Sequence, residues 1–525
     1  MAELSLIEEL RSRSDWEVLA DDNLPGKQAA RVKVPADKLP EAASLLTGRG
    51  AFLLTMAGVD RRPVDGCFAV YPVFANPKDG LIIEIEAVIS PDRPVYPALT
   101  PVVPSAHWLE REIKDLLGIT PVGHPDPRRL ALHPDWPTDV HPLRKDFDAG
   151  AVVPRVSGEM EFCPVEGEGI YHIPVGPVHA GIIEPGHFRF SAFGEDVIDL
   201  QAQLFYTHRG VEKAAESKDF NHAVLVAERI CGACSVSHAV SFAQAVESLA
   251  GVEIPAAASY TRSILLEMER LYNHVGDIGN MSAGIGFAYV VSRGAILKER
   301  LLRMNMRLAG HRYLRGMVIP GGVRAGVKNL PEIIAGLNGL ESDLGELTEV
   351  MLSSHSLLDR METTGVLPLQ AALDLGAVGP AARASGVDRD LRRDLPHAAY
   401  GDLEFNVPVQ QQGDVLRRLK QRIDECRESF GILRQAAQKL SRGMLAVKIP
   451  DLPPYRTSVG CTESARGANV HWIMSGPGNT IYRYMVRSAS HCNWPVVPIC
   501  LPGNIVPDFP LINKSFELCY ACLDR

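Results

Sequence analysis

Hydrophobic and polar positions along the chain follow two regimes. Through the first hundred residues, short apolar runs alternate with turn signals. The runs 51–60 (AFLLTMAGVD), 67–75 (CFAVYPVFA) and 81–89 (LIIEIEAVI) predict strands of an antiparallel α+β unit. After Pro101 and Pro104, Leu109, Ile113, Leu116 and Leu117 recur at helical spacing, so SAHWLEREIKDLLGI predicts a helix capped by Ser105. The stretch GHPDPRRLALHPDWPTDVHPLRKDF is rich in Pro and His and has little periodicity. It reads as a long ordered loop or a linker, which puts a boundary near 145–170. From about residue 238 the period becomes helical, in HAVSFAQAVESLAGV, YTRSILLEMERLYNHVGDIG and GAILKERLLRMNMRLAGHRYL. Gly251, Gly276 and Gly310 are placed to punctuate these helices near their ends. Two further long helices are predicted over 330–361 and 413–440. The expected fold class is α+β: a small α+β domain at the N-terminal side, then a mainly α-helical domain.

Composition narrows the function classes. Hydrophobic residues make up 46% and charged residues 22%, as in a soluble globular protein, which excludes a disordered tail or a collagen-like chain. The net charge of −9 gives no footprint for nucleic acid. The opening residues MAELSLIEELRSRSDW lack a basic n-region, and no apolar run approaches the roughly 18 residues of a membrane span. A cytoplasmic location is therefore expected, with attachment to a membrane complex left open.

Ten cysteines are too few for a disulfide scaffold in a chain of 525 residues. Four of them form two C-x-x-C pairs: Cys231 with Cys234 in ERICGACSVSH, and Cys519 with Cys522 in FELCYACLDR. Such a turn aims two thiolates at one point, so two pairs can build a four-thiolate site. Zinc and iron–sulfur sites share that count. The other six cysteines (67, 163, 426, 461, 492 and 500) read as buried small hydrophobes. Glu184, in a Pro/Gly turn beside Ile182, Ile183 and Phe188, reads either as a proton carrier or as an ordinary turn residue. Arg466 in CTESARGANVHW can donate to a buried anion or form a surface ion pair. Ser488 and Ser490 in VRSASHCNWPVVP can donate to the same anion or simply shape a turn.

Taken together, these segments resemble one family. ERICGACSVSH is similar to the N-terminal metal motif of nickel–iron hydrogenase large subunits, R-x-C-G-x-C-x-x-x-H, and FELCYACLDR to their C-terminal motif, D-P-C-x-x-C. IIEPGHFRF resembles their R-I-E-G-H segment, and ESARGANVHW their E-A-P-R-G segment. YTHRGVEK, LEMERLYNHVGDIG, IPGGV and GPAARASGVDRDLRRDLPHAAY resemble the 49-kDa-type subunit of complex I. SAHWLEREIKDLLGI, GHPDPRRL and HPLRKDF resemble its 30-kDa-type subunit. The arrangement is that of membrane-associated, energy-converting (group 4) hydrogenases of the formate hydrogenlyase type. It implies a 30-kDa-like domain over 1–147, a linker over 148–169 and a catalytic domain over 170–525. The first of these, holding only Cys67, is expected to serve docking rather than metal binding. Complex I relatives lack the four cysteines and bind quinone, so a C/D-type electron-transfer subunit of NADH:quinone oxidoreductase is the alternative reading.

The resemblance also implies roles for single residues. Cys231 and Cys519 match terminal nickel thiolates, and Cys234 and Cys522 the thiolates bridging nickel and iron. The iron carries carbon monoxide and two cyanides. Arg466 matches the guanidinium above the site, Ser490 the hydroxyl facing a cyanide, and His238 a histidine near a bridging thiolate. H2 is split heterolytically, with the proton leaving through Cys519 and then Glu184, and with Glu228 as a second candidate for the relay. The chain is expected to hold no iron–sulfur cluster of its own. Electrons then need a small iron–sulfur subunit resembling the 20-kDa subunit of complex I, a ferredoxin-like polyferredoxin subunit, and membrane-embedded antiporter-like subunits. These would hold the chain at the inner face of the cell membrane. Five positions depart from the family pattern. Glu517-Leu518 stands for Asp-Pro, Ala465 and Ala489 for prolines, and Arg525 for a histidine that ligates an extra metal in other hydrogenase groups.

Overall fold

The computed structural model describes residues 5–21, 28–179 and 183–525; Met1–Leu4 of the opening segment and Ile182 beside Glu184 lie outside them. Strands β1 (Glu17–Asp21) and β2 (Gln28–Lys33) lead into helix α1 (Leu39–Gly48), followed by β3 (Phe52–Arg61), β4 (Cys67–Asn76) and β5 (Leu81–Ile89). The sheet order is β1-β2-β5-β4-β3. The unit is not wholly antiparallel as expected: β2 and β5 pair in parallel, Gln28 opposite Leu81. Helix α1 carries the chain past the middle of the sheet to β3 at the far edge. The β3–β4–β5 meander then returns beside β2 in the parallel sense. β3 and β4 are buried along nearly their whole length, as strands covered on both faces are.

Helix α2 (His107–Leu117) buries Leu109, Ile113, Leu116 and Leu117 as the periodicity requires. Ser105 is not its cap. It lies in a preceding 3-10 turn, Pro104–Ala106, and the chain enters the helix already coiled at Ala106. Between Val122 and Tyr171 there is neither helix nor strand. This loop is pinned by polar groups of α2. Asp115 accepts from the N–H groups of Leu130 at 2.8 Å and Ala131 at 2.9 Å, and Arg111 donates to the carbonyls of Arg128 and Arg129, both at 2.9 Å. A three-stranded sheet follows: β6 (Tyr171–Val175), β7 (His187–Phe193) and β8 (Asp196–Gln203).

The helical part comprises α3 (Ser235–Ala250), α4 (Ala256–Met281), α5 (Ala288–Ala309), α6 (Leu330–Leu352), α7 (His355–Met361) and α8 (Val415–Lys439). Gly251 and Gly310 end α3 and α5 in the left-handed conformation, with φ of 60° and 78°. Gly276 does not end a helix; it sits inside α4. A Cβ there would lie 2.8 Å from Lys298 Cδ on α5, so the glycine leaves room for that side chain. The segment 330–361 is two helices, not one. At Ser354 the backbone turns extended, and Ser353 Oγ donates back to the Val350 carbonyl at 3.1 Å. No helix among the described residues is long and apolar enough to cross a membrane.

An antiparallel meander of β9 (Thr457–Ser464), β10 (Gly467–Gly476) and β11 (Thr480–Arg487) packs on α3. Two short helices, α9 (Ala489–Asn493) and α10 (Tyr520–Asp524), complete the elements that reach the site. The first sheet is joined to this meander by buried polar contacts. Glu84 accepts from Trp472 Nε1 at 2.6 Å, and Arg31 donates to Thr457 Oγ1 at 2.6 Å. Tyr482 Oη donates to the Asp60 carbonyl at 2.7 Å, and Arg483 Nε to that of Gly58 at 3.1 Å.

The approach of β9 to α3 rests on Gly460, where a Cβ would lie 1.9 Å from the Ser241 carbonyl oxygen and 2.7 Å from Ala245 N. Both obstacles are backbone and cannot rotate away. Gly460→Ala is expected to destabilise the fold by about 1–3 kcal/mol, the usual cost of overpacking, read as a lower midpoint in urea unfolding. An unchanged midpoint would mean that strand and helix separate freely.

Candidate metal centre

Each cysteine pair sits on a tight turn at the start of a helix. Cys234 is the N-terminal flanking residue of α3, and Cys519 that of α10. Both turns are closed alike, by a backbone N–H donating to the first sulfur. Ala233 N lies 3.2 Å from Cys231 Sγ, and Cys522 N lies 3.3 Å from Cys519 Sγ. The two turns meet. Cys231 Sγ and Cys519 Sγ are 3.3 Å apart, and the sulfurs of Cys231, Cys234 and Cys522 all lie within 4.8 Å of one another. Metal–sulfur bonds of about 2.3 Å span such separations with little adjustment.

The four thiols compete for charge. Cys231 is pushed down, first by the thiol hydrogen bonds from Cys234, Cys519 and Cys522. Those three are pushed up, first by Cys231 itself. A buried cluster that cannot hold several thiolates unaided, made of soft donors on a common centre, fits a thiophilic metal. Three of the four are buried, and Cys519 is partly exposed.

Side chains from distant elements hold the turns in place. Arg209 donates to the carbonyls of Ile230 at 2.7 Å and Ala521 at 2.8 Å, so one guanidinium joins the backbones of both motifs. Glu269 on α4 accepts from Val236 N at 2.6 Å and Ser237 N at 3.0 Å, occupying free N–H groups at the start of α3. Burial pushes Glu269 up to about 8 in spite of these bonds. One helical turn on, Asn273 donates to the Ala233 carbonyl at 2.7 Å.

Arg466 is buried rather than paired at the surface. It donates to Asn273 Oδ1 at 2.9 Å, to Asp277 Oδ1 at 3.4 Å and to the Glu517 carbonyl. Its charge reaches Cys231 and Cys234 and favours their thiolates. His238 Nε2 lies 3.3 Å from Cys522 Sγ, and its Nδ1 lies 2.8 Å from His471 Nε2. Tyr484 Oη lies 2.8 Å from His471 Nδ1. Burial lowers both histidines, His238 to about 4, so both are neutral near pH 7. A neutral imidazole has one donor and one acceptor nitrogen. With Cys522 as thiolate, one arrangement serves: Tyr484 donates to His471, His471 to His238, and His238 to the sulfur.

Ser490 Oγ accepts from Cys519 N at 3.1 Å, and Ser488 Oγ caps α9 through His491 N at 3.2 Å. Glu184 Oε2 accepts from Ala521 N at 2.8 Å, between the two cysteines of the second motif. Its expected apolar flank is different: Ile183 is 46% exposed, and Phe188 turns into the core against Trp494 and Phe509. Gly186 faces Tyr520 instead, where a Cβ would lie 2.6 Å from the ring. Glu228 is buried, accepts from Gly316 N at 2.7 Å and is raised by burial. Arg315, adjacent to Gly316, donates to Ser235 Oγ at 3.1 Å, beside Cys234. Of the six remaining cysteines, 426, 461 and 500 are buried, 67 and 492 are partly exposed, and Cys163 is exposed, contrary to expectation.

Sequence reading missed Arg209, Glu269, Asn273, Asp277, His471 and Tyr484. Glu269, Asn273 and Asp277 did leave a signal. They recur every four residues and so form a polar stripe along one face of α4.

Comparison with known proteins now adds to this geometry. The family described as respiratory-chain NADH dehydrogenase, 49 Kd subunit, matches residues 277–458 and 447–525. The corresponding 30 Kd subunit family matches 32–153, and nickel-dependent hydrogenase matches 209–283. Formate hydrogenlyase subunit 5 of Escherichia coli is 35% identical over 97% of this chain and 91% of its own length. Hydrogenase-4 component G of the same organism is 34% identical over 99% and 92%. A chain of the membrane-bound sulfane sulfur reductase, an archaeal respiratory membrane complex, superposes with a TM-score of 0.64 and 27% identity. The match covers 69% of this chain and 100% of that one. A fold shared with a complex named for another reaction leaves the site to decide the chemistry, and here the site carries four converging thiols. The chain belongs to the family of membrane-bound nickel–iron hydrogenase large subunits of the formate hydrogenlyase and hydrogenase-4 type.

Proposed function

We propose that Cys231, Cys234, Cys519 and Cys522 hold a nickel–iron centre whose iron carries carbon monoxide and cyanide, and that the chain catalyses reversible reduction of protons to H2. The observation that carries this is the approach of Cys231 Sγ to Cys519 Sγ at 3.3 Å, from opposite ends of the domain's sequence. When bound, such a centre supplies heterolytic H2 chemistry. The residues of the chain do the rest. Arg466, fixed by Asn273, Asp277 and the Glu517 carbonyl, keeps a positive charge beside the thiolates. His238 donates to Cys522 and fixes its lone-pair direction. Ser490 orients the turn at Cys519, and its hydroxyl proton is free to donate towards a diatomic ligand.

Cys519 is the thiol at the edge of the buried cluster, and Glu184 is bonded to the same turn. The proton therefore moves from Cys519 Sγ to the Glu184 carboxylate and then to solvent; Glu228 is the alternative candidate for this relay. Electrons pass to an iron–sulfur partner subunit resembling the 20-kDa subunit of complex I. A polyferredoxin subunit and membrane-embedded, antiporter-like subunits complete the complex and keep the chain at the inner face of the cell membrane. Residues 1–147 form the 30-kDa-like domain, 148–169 the linker and 170–525 the catalytic domain.

Metal analysis of the purified protein separates the readings. Nickel and iron in similar amounts, with infrared bands for carbon monoxide and cyanide, support the hydrogenase. An absence of metal supports a quinone-linked C/D-type subunit, and zinc alone a structural clamp. Cys234→Ala or Cys522→Ala should each abolish H2 activity and stable nickel insertion, because either leaves the coordination sphere incomplete. Wild-type turnover in one of them would refute the ligand set.

Glu184→Gln should keep nickel, iron and the infrared bands but lose H2 turnover by roughly 100-fold or more, the usual contribution of proton transfer by a positioned side chain. Gln preserves the acceptor for Ala521 N but cannot release a proton. Normal turnover with an intact centre would move the relay to Glu228.

A further inference from the structure

Helix α2 buries its polar face as well as its apolar one: Glu110, Arg111, Glu112 and Asp115 are all buried. Three of them work within their own domain. Glu110 accepts from Leu99 N and Thr100 N, while Asp115 and Arg111 pin the following loop. Glu112 instead leaves the domain. Its Oε1 accepts from Arg525 Nη2 and lies 3.2 Å from His491 Nε2. Arg525 Nη1 donates to Glu212 Oε1 at 2.9 Å, and Glu212 Oε2 accepts from Arg483 at 2.9 Å. Burial disfavours the Glu112 carboxylate, yet Arg525 and His491 hold it at about 2. His491 shares α9 with Ser490, which accepts from Cys519 N. Arg525 N donates to the Ala521 carbonyl at 3.1 Å, inside the second cysteine pair. Glu112 thus touches both supports of the C-terminal thiols.

We propose that Glu112, although it belongs to the 30-kDa-like domain, is a positioning residue for the metal centre. It clamps Arg525 and His491 and so fixes the turn that presents Cys519 and Cys522. Buried ion pairs add little net stability compared with apolar packing, but they define geometry. Here the cluster converges on residues 519–525, which carry two of the four ligands. The N-terminal domain is then part of the housing of the centre as well as a docking module. The nickel readout below rests on the proposed nickel–iron site; the exchange readout does not.

The test uses the full chain, with and without metal. Glu112→Gln keeps the shape and removes the charge. It should raise amide hydrogen exchange across 519–525 by tenfold or more, and speed loss of nickel to a chelator by roughly 10- to 100-fold, as for other outer-shell partners of metal ligands. Glu84→Gln is the control. It weakens a different contact between the same two domains, with Trp472 and Thr457, and should leave exchange across 519–525 unchanged. Wild-type exchange and nickel retention in Glu112→Gln would overturn the proposal, as would equal loosening of 519–525 by Glu84→Gln. If Glu112→Gln does not fold, Glu112→Asp, which keeps the charge but is one methylene short, takes its place under the same criteria. A wild-type protein without nickel would sink the nickel–iron reading, while exchange in the metal-free protein would still decide the role of Glu112.

Discussion

Two thiol pairs more than half the chain apart must be brought within a few ångströms and kept there, and much of the catalytic domain serves that constraint. Closing so long a loop costs chain entropy, and four thiols at one point cannot share much negative charge unaided. Both costs are met from behind the sulfurs. Arg209 ties the two turns together through carbonyls on either side of the gap. Glu269 and Asn273 anchor the first turn to α4, while Arg466 spans from α4 to Glu517, just before the second turn. Gly460 lets β9 press against α3, and the His238–His471 contact runs between that helix and β10.

How much of this was legible in the sequence follows from how local each feature is. The cysteine turns and the helices ending at Gly251 and Gly310 depend on neighbouring residues, and they read correctly. Strands β1 and β2 were missed because EVLAD and QAARVK lack a clean apolar alternation, and without β2 the parallel pairing with β5 could not be foreseen. Gly276 read as a stop because glycine usually punctuates a helix. Its role is to admit Lys298 from α5, a partner no local pattern reveals. The periodicity of α2 marked only its apolar side; the partners of its polar side lie in the following loop and at Arg525, out of reach of a local pattern. The environment of Glu184 was misread for the same reason: Phe188 turns into the core, and Glu184 bonds to Ala521 N in the second cysteine turn.

The fold leaves the reaction open, since the same architecture occurs in a complex named for sulfur reduction. The distinction lies in a few atoms. A quinone-type relative has no use for four thiols, whereas here each has a placed neighbour: Ala233 N at Cys231, Cys522 N at Cys519, His238 at Cys522, and the charge of Arg466 near Cys234. Donors aimed at sulfur, rather than water, are what a thiolate-ligated metal requires.

The departures from the family pattern bear on whether the site is intact. A decayed site would leave substituted positions with unmatched polar groups. Here the substitutions have partners. Ala489, where a proline is usual, donates its N–H to Asn469 Oδ1 at 2.9 Å, a bond proline could not make. Glu517 accepts from Arg466 through its carbonyl and from Asn280 through Oε1 at 2.6 Å. Arg525 pairs with Glu112 and Glu212. These three replacements are matched on different elements around the four sulfurs. That is how substitutions sit in a site whose four thiols still converge.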